Sequence, residues 1–120
     1  MIIERIKKIA RPGTKIPKPK STEEYIIVRW GKSRGEEALV YQLPMKPTSK
    51  KPSEKRLAIS AFKKGYEVLI HKGEISYSWF KKEFPNLEKD GSCNFTTLGG
   101  IFVLLGEANY EHRGTYKRKQ

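Results

Sequence analysis

The residues of this chain with the clearest chemistry are cations. Arg113, Lys117, Arg118 and Lys119 form one group near the end, Lys50, Lys51, Lys55 and Arg56 a second, and Lys81 and Lys82 a third. Groups of this kind neutralise phosphates. Each contact with a polyanion releases condensed counterions, so binding through them weakens steeply with salt. Catalysis has much less behind it. His71 and His112 stand far apart with no serine or cysteine motif to join them, and Asp90 is the only aspartate. A metal-dependent nuclease needs converging acids, and only the tertiary fold could bring Glu67, Glu74 and Glu88 together. GKSRG lacks the strand–loop–helix setting that turns a glycine loop into a phosphate cradle. The single cysteine, Cys93, excludes an internal disulfide framework and a thiolate zinc site. No enzymatic activity, metal or cofactor is expected.

The composition points the same way. The 120 residues suit one domain, and 25 Lys and Arg against 13 acids leave a net charge of +12. An excess of that size attracts polyanions, although a soluble protein can also carry charge simply to stay dispersed. No run approaches the roughly eighteen apolar residues of a membrane span. MIIERIKKIA carries charges throughout and lacks the apolar block of a signal peptide, so a cytoplasmic protein without membrane contact is expected.

The elements that must position these cations follow in chain order. Residues 1–20 form a basic, proline-rich arm with seven basic side chains against one acid, Glu4. Ile2 or Ile3, Ile6 and Ile9 recur at helical spacing. RPGTKIPKPK then forbids a continued helix and favours extended chain that either docks beside a bound nucleic acid or stays solvated. Ile16, between Pro12 and Pro17, implies that part of the arm rests on the domain. A single domain over 21–119 begins with a hairpin, EEYIIVRW (23–30) and EEALVYQLP (36–44), joined by the loop GKSRG. Residues 21–45 hold three basic residues and four acids, a net charge of −1. That makes the hairpin a packing element or the edge of a homodimer, and the basic, proline-punctuated stretch 46–52 links it onward.

Ser53 and Glu54 are a cap and a first-turn acid for a helix from 54 to about 71. Ala58, Phe62, Tyr66, Leu69 and Ile70 give that helix one apolar face, which carries through Gly65. Gly73 ends it, and Glu74 and Ile75 suit a short strand. Ser76 or Ser78 can cap a brief helix facing inward through Phe80 and Phe84, with Trp79 beside them and Pro85 closing it. A third helix over 94–105 has Leu98, Ile101, Phe102 and Leu105 as its stripe. Gly99 and Gly100 mark a close approach, to another helix or to a phosphate backbone. After Gly106, Tyr110 and Tyr116 flank a turn with Arg113 at its tip. Trp30 and Trp79 read as core, and the two tyrosines as a cross-strand pair.

Residues 54–119 resemble the winged helix-turn-helix superfamily in element order, and GEISYSWFKKEFP is similar to its segment leading through the second helix. The expected fold is therefore α+β: a winged helix-turn-helix-like domain with three helices, a C-terminal β-wing and an additional N-terminal hairpin. The resemblance implies a third helix, 94–105, in the DNA major groove and a wing, 107–119, on the backbone or minor groove. Thr96 and Thr97 would then join the three cation groups as nucleic-acid contacts. The outward side of that helix offers Asn94, Thr96, Thr97 and glycines but no arginine or lysine, so its backbone amides can meet phosphate while base readout lacks cationic side chains. The expected function is non-enzymatic nucleic-acid binding, to duplex DNA first. The alternatives are RNA, or a protein partner on the same fold.

Overall fold

The computed structural model describes residues 1–19, 24–45, 48 and 50–119. Lys20 of the arm, Glu23 at the head of the expected first strand, and Lys46, Pro47 and Ser49 of the linker lie outside the described residues. Among the described residues the fold is α+β, with five helices rather than three and with seven strands.

The arm folds onto the domain. Helix α1 (Ile2–Ile9) buries Ile6, and Ala10 follows it into the core. The chain turns at Gly13, whose φ of +88° suits glycine, and strand β1 (Lys15–Ile16) pairs antiparallel with β2 (Tyr25–Ser33). Ile16 is fully buried.

The hairpin forms with a tighter turn than expected. Gly31, Lys32 and Ser33 pair with Ala38, Glu37 and Glu36 of β3 (Glu36–Gln42), which leaves only Arg34 and Gly35 in the turn. Both have positive φ, +49° and +82°. That is the primed geometry whose twist matches the flanking strands. β3 then pairs on its other side with β4 (Glu54–Ala58), so this sheet runs β1-β2-β3-β4 and β3 has no free edge. A dimer formed strand to strand through this hairpin would have only the far half of β2 to use.

β4 corrects the expected helix start. Residues 54–58 are strand, with Lys55 opposite Tyr41 and Leu57 opposite Leu39, and helix α2 runs only from Ile59 to Lys72. Ser53 and Glu54 therefore cap nothing, and Glu54 instead meets Arg29 at 3.3 Å. The cap comes from another strand. Glu36 accepts from the Ser60 backbone N–H at 2.9 Å and from the Ser60 hydroxyl at 3.2 Å. One carboxylate thus satisfies an orphan amide of the first turn, at the end of the helix dipole that favours negative charge. Gly65 lies within the uninterrupted helix. A Cβ there would stand 3.2–3.3 Å from Leu98 and Phe102, so the glycine sets a close helix–helix approach. Gly73, at φ +82°, ends α2 with its N–H donated to the Leu69 carbonyl.

Strand β5 (Glu74–Ser76) leads into α3 (Tyr77–Glu83), capped by the Ser76 hydroxyl oxygen accepting from the Trp79 N–H at 3.1 Å. Pro85 does not close the helical region. It opens a further short helix, α4 (Pro85–Asp90), where its missing N–H costs nothing at the first helical position. Helix α5 (Cys93–Leu104) and the hairpin of β6 (Ala108–His112) and β7 (Thr115–Arg118) complete the chain. The second sheet has the order β5-β7-β6. Tyr110 and Tyr116 pair across it, edge to face at 5.7 Å. Trp30 and Trp79 both pack, the first 6.4 Å from Phe62 with its Nε1–H donated to the Ala10 carbonyl, the second 6.0 Å from Phe84.

α5 lies between the two sheets. Every residue from Thr97 to Phe102 is buried, as are Asn94 and Phe95. An added Cβ at Gly99 would fall against the Tyr116 ring of β7, and one at Gly100 would stand 2.6 Å from both Ile16 Cγ2 and the Pro17 carbonyl oxygen. The paired glycines thus admit the C-terminal sheet on one side and the arm on the other. Asn94 ties the helix to the hairpin by accepting from the Tyr41 hydroxyl at 2.6 Å while donating to the Leu87 carbonyl at 2.9 Å.

Glu36→Ala removes both bonds at the start of α2 and is expected to lower stability by about 1–3 kcal/mol in urea unfolding. Glu37→Ala breaks only the exposed pair with Lys7 and should cost less than about 1 kcal/mol. Equal losses for the two variants would refute the capping role of Glu36.

Candidate nucleic-acid interface

The turn of the C-terminal hairpin carries Arg113, followed by Gly114 at φ +79°. The hairpin is anchored at both ends. The Tyr77 N–H donates to the Gly114 carbonyl at 2.8 Å, while the N–H groups of Arg118 and Lys119 donate to the carbonyls of Gly73 and Glu107, each at 2.9 Å. The turn is thereby held beside the start of α3 and the first turns of α5. Two adjoining hollows of about 410 and 750 Å³ open there and share Phe95, Thr96, Arg113 and Gly114. Lys18, Pro19, Tyr110 and Tyr116 complete the first, and hydroxyls of Ser76, Ser78, Ser92 and Thr115 help to line the second. No Asp or Glu lines either hollow among the described residues. The pair forms one groove whose lining combines the cations Lys18 and Arg113 with hydroxyl-bearing residues and aromatic residues.

The expected contacts divide around this groove. Arg113 and Thr96 line it together. Thr97 does not reach it: the residue is fully buried, and its hydroxyl oxygen has no hydrogen-bond partner within distance among the described residues. One helical position turns the side chain by about 100°, from the groove wall into the core, so Thr97 cannot touch a nucleic acid. Lys117 is exposed, with Glu111 at 3.7 Å, and Lys119 is exposed behind it. Arg118 donates to the Ile70 carbonyl at 3.3 Å, where a cation complements the C-terminal end of α2. Lys55 donates to the Asp90 carbonyl and Arg56 to the Lys32 carbonyl, each at 2.6 Å. Both line one open hollow with Ser33, Arg34, Glu54 and Asp90, where two carboxylates stand among the cations. Lys50 and Lys51 are exposed ahead of β4. Lys81 and Lys82 sit exposed in the last turn of α3, where cations favour the helix end in any case.

Lys18 is the residue that sequence reasoning missed. Its ammonium lies 4.4 Å from the centre of the Tyr25 ring, in cation–π contact. It stands on the groove because β1 pairs with β2, a long-range fact that the local string KIPKPK does not carry. Neither His71 nor His112 lines the groove, and no group of three or more His, Cys, Asp or Glu among the described residues is placed to hold a metal ion.

Comparison of the chain with family models, curated proteins and solved structures returns no match.

Tyr110 and Tyr116 line the groove, whereas Tyr25 and Tyr41 are buried in the core. Tyr25 and Tyr41 lie 5.4 Å apart, and Tyr116 stands edge-on to Phe95 at 5.6 Å. Burial, with a smaller contribution from Cys93, pushes the Tyr25 phenol up to about 12. Burial likewise raises Tyr41 and Tyr116. Tyr77, which donates to Glu88 at 3.0 Å, is raised first by that hydrogen bond. Unfolded tyrosines ionise near pH 10. The folded state holds these protons more tightly, so the associated stability is present below about pH 10 and is lost as pH rises beyond it. At about pH 11, phenolate absorbance should show Tyr25, Tyr41 and Tyr116 still protonated, ionising only together with the loss of native circular dichroism. Complete tyrosine ionisation before unfolding would contradict the packing described.

Proposed function

We propose that this protein is a non-enzymatic nucleic-acid-binding module with a winged-helix-like arrangement, and that its contact surface is the groove beside Arg113. The order α2–β5–α3–α5–β6–β7, with sheet order β5-β7-β6, supports the winged-helix-like reading. The short α4 is then an insertion between the second and third helices, while α1 and the four-stranded sheet are additions ahead of the first. The observation that carries the functional reading is the groove lining: Lys18 and Arg113 beside Ser and Thr hydroxyls, with no carboxylate among the described lining residues. On a chain of net charge +12 such a groove favours phosphate oxygens, which take hydrogen bonds from cations and hydroxyls alike. Binding through α5 laid in a major groove has little support, because its middle is buried on several sides. Contacts from Arg113, Lys18 and the hairpin flank make a backbone-reading surface that gives affinity more readily than base specificity.

Fluorescence anisotropy with labelled DNA and RNA at two salt concentrations tests this reading. Binding should weaken steeply with salt, and the double variant Lys18→Gln/Arg113→Gln should both weaken it and flatten the logarithmic salt slope by about 1.4–1.8, the share of two phosphate contacts. Absence of binding to every polymer at low salt, or a double variant indistinguishable from the parent, would overturn the proposal.

A further inference from the structure

We infer that the strand taken by the groove is single-stranded nucleic acid, with a base stacked on Tyr110 and the adjoining phosphates held by Lys18 and Arg113. This inference rests on the nucleic-acid reading above and narrows it to a substrate class.

Three observations carry it. The first concerns what the fold leaves open. A duplex is read by inserting an element into a major groove about 12 Å wide, which admits an α-helix. Of the helices beside the groove, α3 meets it only through its first residues, Tyr77 and Ser78, and α5 is not available for that, since Gly100 lies against Ile16 and Pro17 of the arm and Gly99 against Tyr116 of β7. What the arm and the hairpin turn leave between them is a hollow lined by Lys18 and Pro19 from the one and Arg113 and Gly114 from the other.

The second is size. Hollows of about 410 and 750 Å³ fall within the range of roughly 300–1,000 Å³ that encloses a drug-sized molecule, which is the scale of one nucleotide in each. Their four shared lining residues make them successive stations on one path.

The third is chemistry. Binding of single strands without sequence preference combines a basic groove with aromatic platforms on which bases stack. Tyr110 is half-buried, and its ring is braced edge to face by Tyr116 at 5.7 Å, which is braced in turn by Phe95 at 5.6 Å. A ring held in this way can accept a stacked base with little ordering of its own. Lys18 and Arg113 line the same hollow as Tyr110, and the hydroxyls of Ser76, Ser78 and Ser92 line the continuation. Base on ring, phosphate on cation and sugar or phosphate on hydroxyl is the sequence of contacts that an unpaired strand offers. A paired base has its faces already stacked within the helix.

The test titrates the full chain with labelled oligothymidine, oligouridine and a mixed-sequence duplex, each of about 15 nucleotides per strand, at one low salt concentration. The two single strands distinguish DNA from RNA as the natural source. Single strands should bind at least about tenfold tighter than the duplex. Tyr110→Ala should cost about fivefold or more of single-strand affinity, the loss of one stacked base, while Tyr110→Phe retains it. In the unaltered protein, a thiothymidine-substituted strand should photo-cross-link to the peptide containing Tyr110, a readout that does not depend on how a variant folds. Equal or tighter binding of the duplex, with cross-links elsewhere and no effect of Tyr110→Ala, would overturn this inference and leave the nucleic-acid reading standing. Failure of all three polymers to bind would remove both.

Discussion

Much of the structure depends on the burial of one helix between two sheets. α5 has no polar face to give to water along its middle, so each neighbour is placed by the need to cover it. α2 approaches at Gly65, β7 at Gly99 and the arm at Gly100, and in each case a missing side chain sets the distance. Dense packing of this kind is sensitive to single methyl groups, because interiors hold few voids to absorb them. It also explains why the arm is part of the fold. Without Ile16 and Pro17 the Gly100 side of α5 would face solvent.

The charges obey a different logic. Seven ion pairs among the described residues join exposed or half-exposed side chains, and pairs of that kind each contribute little to stability. Several cations serve the backbone instead: Arg118 at the end of α2, Lys55 at the end of α4 and Arg56 across the first sheet. Clustering along the sequence is thus a poor guide to a binding surface. Lys18 and Arg113 are distant in the chain and meet only because the arm and the C-terminal hairpin cover adjacent sides of α5.

This is also why the fold was partly legible in the sequence and the groove was not. β-Branched and aromatic content and the loop GKSRG made the first hairpin visible, Gly73 marked a helix end and Ser76 or Ser78 a helix start, and Gly106 marked the last change of pattern. Those signals are local. EKRLA misled because Ser53 and Glu54 satisfy the rules for a helix start, while the pairing with β3 that makes it a strand is non-local. Pro85 misled because the same residue that ends one helix can open another. Thr96 and Thr97 looked equivalent until the helix had a neighbour to define its inside. The groove needed three such long-range facts at once: β1 on β2, the arm on α5, and the C-terminal hairpin turn beside the start of α3.

The central position of α5 also bears on how the chain is made. β2 and β3 leave the ribosome some sixty residues ahead of the end of α5, a delay of roughly 3–12 s at usual elongation rates. During that interval the inner face of the nascent sheet, with Ile27, Leu39 and Tyr41, lacks α5 and has at most α1 and α2 to lie against. A chain released or stalled before residue 104 would expose that apolar surface together with the unpaired edge of β2. The tight Arg34-Gly35 turn closes the hairpin early and leaves fewer open strands to associate with other chains. Biosynthesis, as much as final stability, gives that two-residue turn its value.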